Sequence, residues 1–145
     1  MDNINYYIED KPDESSVNFI RNELNKYNEK FVDTDNHKIL SVFIKDKGNK
    51  IIGGLLGGTY WGWMYIDRFW IDEKYRKKGY GSKILKLAEG EAIKRGCKFV
   101  YLDTHDFQAI DFYKINGYEI MSELKEFPKG HSKFLMRKIL IGIFQ

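Results

Sequence analysis

Cysteine, proline and long apolar runs are what this 145-residue chain has least of. The single cysteine, Cys97, has no second cysteine with which to form an internal disulfide or a thiolate zinc site. That excludes the disulfide-scaffold class and fits a reducing, cytoplasmic setting. Two prolines in the whole chain argue against a proline-rich disordered segment. The longest apolar runs, 51–58 and 139–144, fall far short of the ~20 residues a spanning helix needs, so no membrane partner is expected. The N-terminus has no basic, apolar stretch of the secretory kind. The three histidines, His37, His105 and His131, are not spaced as a local ligand motif, and no metal is expected.

Aromatic residues are plentiful: ten Tyr, ten Phe and three Trp. A chain of this length buries roughly 68–70% of its unfolded surface, enough for a core without staples. One domain over residues 1–145 is expected. The net charge of +3 is mild, but it is unevenly placed: residues 74–98 hold nine Lys or Arg against Glu89 and Glu91. Gly79 and Gly81 lie inside that run. Basic residues and permissive backbone just before a helix make an anion site.

The periodicities outline the elements. Residues 5–9 form a short strand candidate, and a helix follows with Val17, Ile20, Leu24 and Tyr27 on one face. Strands at 38–45 and 50–56 make a hairpin about Asp46-Lys47-Gly48-Asn49, and Gly57-Gly58 is expected to break the second strand. A third strand, 61–72, places Trp61, Trp63, Tyr65, Asp67, Phe69 and Ile71 on one side. The period then changes: Ile84, Leu85, Ala88 and Ala92 mark an amphipathic helix over 81–95, stopped by Gly96. An apolar strand at 98–103, a short helix at 108–116 and strands from 118 and over 133–143 complete the chain. The outcome is an α/β domain: a central mixed, mostly antiparallel sheet of about six to seven strands with helices on both faces.

The segment 71–82 leads from a strand through a basic loop into a helix whose first N–H groups lack intrahelical partners. The spacing is not that of a Walker loop. A dinucleotide-binding unit also fits poorly: Ile84 stands where its third glycine belongs, and about 70 residues of helix and antiparallel strand precede the loop. A nucleic-acid binder would interleave exposed aromatics with its basic stripe, whereas the aromatics here fall at alternating strand positions, so no nucleic-acid partner is expected.

Arg76-x-x-Gly79-x-Gly81 resembles the pyrophosphate-binding signature of the GNAT N-acetyltransferases, which use acetyl-CoA. Ala109-Ile110-Asp111-Phe112-Tyr113-Lys114-Ile115-Asn116-Gly117-Tyr118 is similar to that family's Ala-x-x-Phe-Tyr-x-x-x-Gly-Phe/Tyr segment. The aromatic strand before the loop agrees in order. The resemblance covers essentially the whole chain and is strongest over 67–118. It departs at Asp106, where the family often has an asparagine.

The resemblance implies an acetyltransferase acting on a primary amine of a small molecule or peptide, as monomer or homodimer. The alternative is a CoA-binding module without catalysis. It implies cofactor contacts from the backbone of Phe69, Trp70 and Ile71, from Arg76, Lys77, Lys78, Gly79, Tyr80, Gly81 and Ser82, and from Phe112 and Tyr113. Tyr113 matches the tyrosine that donates a proton to the departing thiolate. Asp67 is the candidate base, with His105 and His131 as alternatives. Trp61, Trp63 and Tyr60 are candidates for walling the acceptor pocket. An aromatic wall ending in Asp67 suits a cationic amine, with His131 as a cover.

Overall fold

The computed structural model describes residues 2–140. The chain divides into two compact units, one up to Asp35 and one from Asn36 onward. The first holds a single helix, α1 (Glu14–Asn28), preceded by Asp13 in extended conformation and carrying Glu14 in its first turn and Lys26 in its last. These charges suit the two ends of the helix dipole. Residues 5–9 do not form the expected strand. A strand exists through its ladder, and Tyr6, Tyr7 and Ile8 stand exposed without one.

The second unit is a six-stranded mixed sheet in the order β1-β2-β3-β4-β6-β5. Its strands are β1 (Lys38–Lys45), β2 (Ile51–Tyr60), β3 (Trp63–Ile71), β4 (Phe99–His105), β5 (Glu119–Lys125) and β6 (Ser132–Ile139). Only β3 and β4 run parallel; the other neighbours are antiparallel. The crossover between the parallel pair is α2 (Tyr80–Lys94), and α3 (Ile110–Ile115) links β4 to β5.

One face of the sheet carries the core. Leu40, Leu55, Met64, Ile66, Val100, Leu102 and Met136 meet Ile84, Leu85, Ala88 and Ala92 of α2 and Tyr113 of α3. The three-and-four spacing of the α2 residues is what turns one side of that helix to the sheet. Gly96, at φ +87°, ends α2 as its position predicted. Arg95 then ties the end of the helix to the sheet. Its Nε donates to Glu91, and its Nη1 donates to the Ile39 carbonyl and the buried Thr59 hydroxyl, both at 3.1 Å.

Gly57 and Gly58 do not break β2, which continues to Tyr60. The glycines are needed inside the strand because of what lies opposite. A Cβ on Gly57 would collide with the Tyr65 carbonyl, and one on Gly58 would sit 2.5 Å from the Tyr65 hydroxyl. Here glycine allows close approach of a neighbouring strand and ring rather than a turn. The turn comes later, at Trp61-Gly62, where both residues have positive φ. Among the described residues no helix is long and apolar enough to cross a membrane.

Candidate active site

The basic loop after β3 is folded tightly. Asp72 accepts from the Lys74 amide at 3.0 Å, a 3₁₀ turn spans Glu73–Tyr75, and the Arg76 guanidinium turns back so that its Nε donates to the Ile71 carbonyl at 2.8 Å. Lys77 has φ +61° and Gly79 has φ +86°. Two left-handed residues so close together swing the chain directly into α2. The turn of α2 closes with the Lys83 amide donating to the Gly79 carbonyl, and no side chain caps the helix. The amides of Tyr80, Gly81 and Ser82 therefore have no intrahelical acceptor, and the helix dipole adds about half a positive charge beside Lys77 and Lys78. Unpaired amides at a helix start, flanked by basic side chains, suit an anion.

Gly81 has a second task that its spacing alone did not disclose. A Cβ there would lie 3.2 and 3.3 Å from two atoms of the Phe112 ring. The glycine lets the first turn of α2 pack against α3. Gly79, by contrast, faces open space, and its requirement is the left-handed φ alone.

Beside the loop the sheet splits. β3 and β4 pair only from Trp63↔Phe99 to Ile66↔Leu102, although β3 continues to Ile71 and β4 to His105. The split follows a bulge. Leu56 pairs with Arg68 but Gly57 pairs with Ile66, leaving Asp67 as the extra residue. A bulge twists and bends its strand and breaks the alternation of faces. Past the bulge, the edge of β3 that faces β4 has no ladder to it.

The same bulge corrects the expected side-chain pattern of β3. Trp63 and Tyr65 lie on the face opposite α2, whereas Phe69 and Ile71, beyond the extra residue, pack against the core on the α2 face. The six residues do not share a side. Asp67 is exposed at the bulge itself. Its charge is felt by Tyr65, whose pKa is raised by burial first and by Asp67 second.

Three of the expected site residues meet on the α2 face. Phe69 lies 5.7 Å edge-to-face from Phe112 and 6.4 Å from Tyr113, ring centre to ring centre. Burial, and then the Asp103 charge, push the Tyr113 hydroxyl up to about 12. It remains an O–H donor throughout the neutral range. Trp70 is half exposed and opposes Gly54. Under this cluster, buried Glu89 of α2 accepts from Tyr118 at 2.7 Å and from Lys138 Nζ at 2.9 Å.

The opposite face carries an aromatic cavity of about 550 Å³. Tyr60, Trp61, Trp63 and Tyr101 form one side, and Met121, Leu135 and Arg137 the other. Tyr60 and Tyr101 hydroxyls meet at 2.8 Å, and His37 Nε2 lies 2.6 Å from the Tyr65 hydroxyl. Tyr60, Trp61 and Trp63 are legible in the sequence as candidate walls, but Tyr101 and Arg137 are not. Arg137 enters through register: β6 pairs Tyr101 with Arg137, so two residues 36 positions apart in sequence share one face. Asp67 does not line the cavity, and the wall ends in a guanidinium rather than a carboxylate.

The expected cover is also elsewhere. His131 is not among the residues lining the cavity; its Nδ1 lies 2.9 Å from Asp106 Oδ1. Asp106 Oδ2 accepts from the Ser132 amide at 2.8 Å. Asp106 thus spends both oxygens pinning the β5–β6 connection to the end of β4. The second alternative base, His105, is held with Nδ1 2.9 Å from the Phe127 carbonyl and its ring stacked on Phe107.

Comparisons with known proteins agree with this layout. The model of the acetyltransferase (GNAT) family matches residues 4–118. An acetyltransferase of Agrobacterium fabrum is 32% identical over 129 residues, covering 89% of this chain and 94% of its own. The blasticidin-S acetyltransferase of Streptomyces morookaense is 31% identical over 104 residues, covering 71% and 76%. The crystal structure of an acetyltransferase from Bacillus cereus superposes with a TM-score of 0.83 at 34% identity, over 92% of this chain and 97% of that one. With its split parallel strands, uncapped helix and matching relatives, this chain belongs to the acetyltransferase (GNAT) family.

Proposed function

We propose that the protein is an N-acetyltransferase that moves an acetyl group from acetyl-CoA to a primary amine of a small molecule or peptide. The observation that carries this reading is the opening between β3 and β4, linked to the unpaired amides of α2 through Phe112, which packs on Phe69 of β3 and lies against Gly81. The residues present fit the cofactor: the amides of Tyr80, Gly81 and Ser82, with Lys77 and Lys78, suit a pyrophosphate, and the unpaired edge of β3 suits an amide-bearing arm laid along it.

Acetyl-CoA supplies, when bound, an acyl group activated as a thioester. The protein's own groups supply the rest. The Phe69 N–H, past the bulge, would face the acyl oxygen, where a fixed donor stabilises developing negative charge. Asp67, exposed at the bulge, takes the proton the amine must lose before its lone pair can attack. The Tyr113 O–H is offered to the sulfur as it leaves. In balance, a carbon–nitrogen bond forms, a carbon–sulfur bond breaks, the amine loses one proton and the sulfur gains one.

The test is thiol release from acetyl-CoA with a panel of amines that includes blasticidin S, the antibiotic in one relative's name. Release that depends on the amine supports the reading. CoA binding by calorimetry without release for any amine replaces it with a non-catalytic CoA-binding module. Asp67→Asn should move the appearance of activity to higher pH. An unchanged pH–rate profile and unchanged amine KM remove Asp67 from the mechanism.

A further inference from the structure

The charge in the aromatic cavity points to its occupant. Of the residues that line it, Arg137 alone is charged. Its Nε is engaged by Glu119 at 3.0 Å, which fixes the plane of the guanidinium at the rim. Its terminal nitrogens donate to no group among the described residues. A guanidinium oriented by one carboxylate, with a free fork, matches a second carboxylate in two parallel hydrogen bonds. An ammonium placed there would face like charge at short range.

The remaining walls are ring faces and aliphatic chains. Trp63 stands 5.9 Å edge-to-face from Tyr101, and the Tyr60 and Tyr101 hydroxyls share one hydrogen bond at 2.8 Å, one O–H donating to the other oxygen. Such walls take a flat ring by stacking. The cavity also has a fixed relation to the split. Tyr101 pairs with Tyr65 one rung before the parallel ladder ends, and Trp63 lies four residues before Asp67. At about 3.3 Å per residue, the cavity runs from ~7 to ~13 Å away from the bulge.

We propose that this cavity is the far subsite of the acceptor and takes a flat ring bearing a carboxylate, held by Arg137 about 10 Å from the reacting amine. The acceptor class is thus an elongated, amine-ended molecule with an anionic aromatic tail, not a polycation. Only the position of the amine rests on the acetyltransferase reading; capture of the carboxylate stands without it.

A matched pair tests this: para-(aminobutyl)benzoate against phenylbutylamine, which carry the same amine. The wild-type protein should prefer the carboxylate by about tenfold or more in kcat/KM, expressed in KM, as one charge-assisted bidentate contact requires. Arg137→Gln should reduce that preference below about twofold, and Arg137→Lys should restore only part of it. Equal kcat/KM for the pair, or a preference that survives Arg137→Gln, overturns the proposal. A second measurement needs no turnover: para-butylbenzoate, which has no amine, should bind by calorimetry more tightly than butylbenzene. Met121→Trp, at an exposed edge position that fills the cavity, should abolish that difference. If neither amine is acetylated but para-butylbenzoate binds through Arg137, the placing of the amine at the split fails and the subsite stands. If para-butylbenzoate binds no better than butylbenzene, the subsite fails whatever the turnover.

Discussion

The Tyr118 hydroxyl donates a 2.7 Å hydrogen bond to Glu89, whose other oxygen accepts from Lys138 at 2.9 Å. One buried carboxylate thereby joins α2, the segment after α3, and β6. Glu89 sits in the basic run 74–98 and looks from sequence like one of its two solvated counter-charges. Removing Lys138 strands a buried charge, and Lys138→Met should cost about 3–5 kcal/mol in urea denaturation. Tyr118→Phe should cost about 1–3 kcal/mol. The double variant Glu89→Gln, Lys138→Met should recover much of the loss. A cost under about 1 kcal/mol for Lys138→Met would mean that water serves Glu89 equally well.

The loop glycines should separate conformational from packing requirements. Gly79 sits at φ +86° facing open space, so Gly79→Val strains the turn without filling anything. CoA affinity should fall more than about tenfold, with a stability loss of about 1–2 kcal/mol. Gly81→Val also drives into Phe112 and should lower stability and affinity together. Calorimetry and thermal melting of both variants decide it. Wild-type protein should bind CoA at micromolar affinity and NAD poorly, and equal affinity for both would refute the loop assignment.

Tyr113→Phe keeps the ring that packs on Phe69 and Phe112 while removing one hydroxyl. Turnover should drop by about 10²–10⁴-fold with CoA affinity nearly unchanged. Because burial holds this phenol at about 12, above its ordinary value near 10, its loss of a proton should not limit the rate until well above pH 10. A Tyr113-dependent alkaline limb centred near 10 would contradict the burial of this hydroxyl. The stability it contributes is full below its unfolded pKa and is lost as pH rises from about 10 toward 12.

Asp106 gives the opposite sign. The Ser132 amide first, and then His131, hold its carboxyl below the ordinary carboxylate value. A depressed folded pKa contributes stability that is present above the unfolded value near 4 and lost as pH falls through the folded one. Asp106→Asn should therefore destabilise the protein at neutral pH, with the difference from wild type shrinking below about pH 4. Urea midpoints measured from neutral to acid pH would show it. A constant difference across that range would mean that the charge of Asp106 contributes nothing.

Much of the site was written locally. The basic loop, Gly79, Gly81 and the Phe112-Tyr113 pair lie within short segments whose conformations depend on neighbours in sequence. A left-handed residue before a helix, or an apolar stripe every three to four residues, is legible because its cause is local. For the same reason α1, α2 and β1 lie close to where periodicity puts them.

What the tertiary structure decided is what depends on a partner strand. Two glycines in a row read as a break in the sequence, but Tyr65 lies against them and the strand continues. Alternation along β3 predicted one aromatic side until the unpaired Asp67 turned Phe69 and Ile71 to the other face. Asp106 and His131, 25 residues apart, meet only because β4 and β6 are neighbours, and the same pairing brings Arg137 beside Tyr101. The chain by itself determined the basic loop and its aromatic helix, because helix starts and left-handed turns are properties of a few consecutive residues. The split sheet and the guanidinium in the cavity were left to the tertiary structure. Register and bulges arise from ladders between distant segments, and a slip of one residue moves every side chain to the other face.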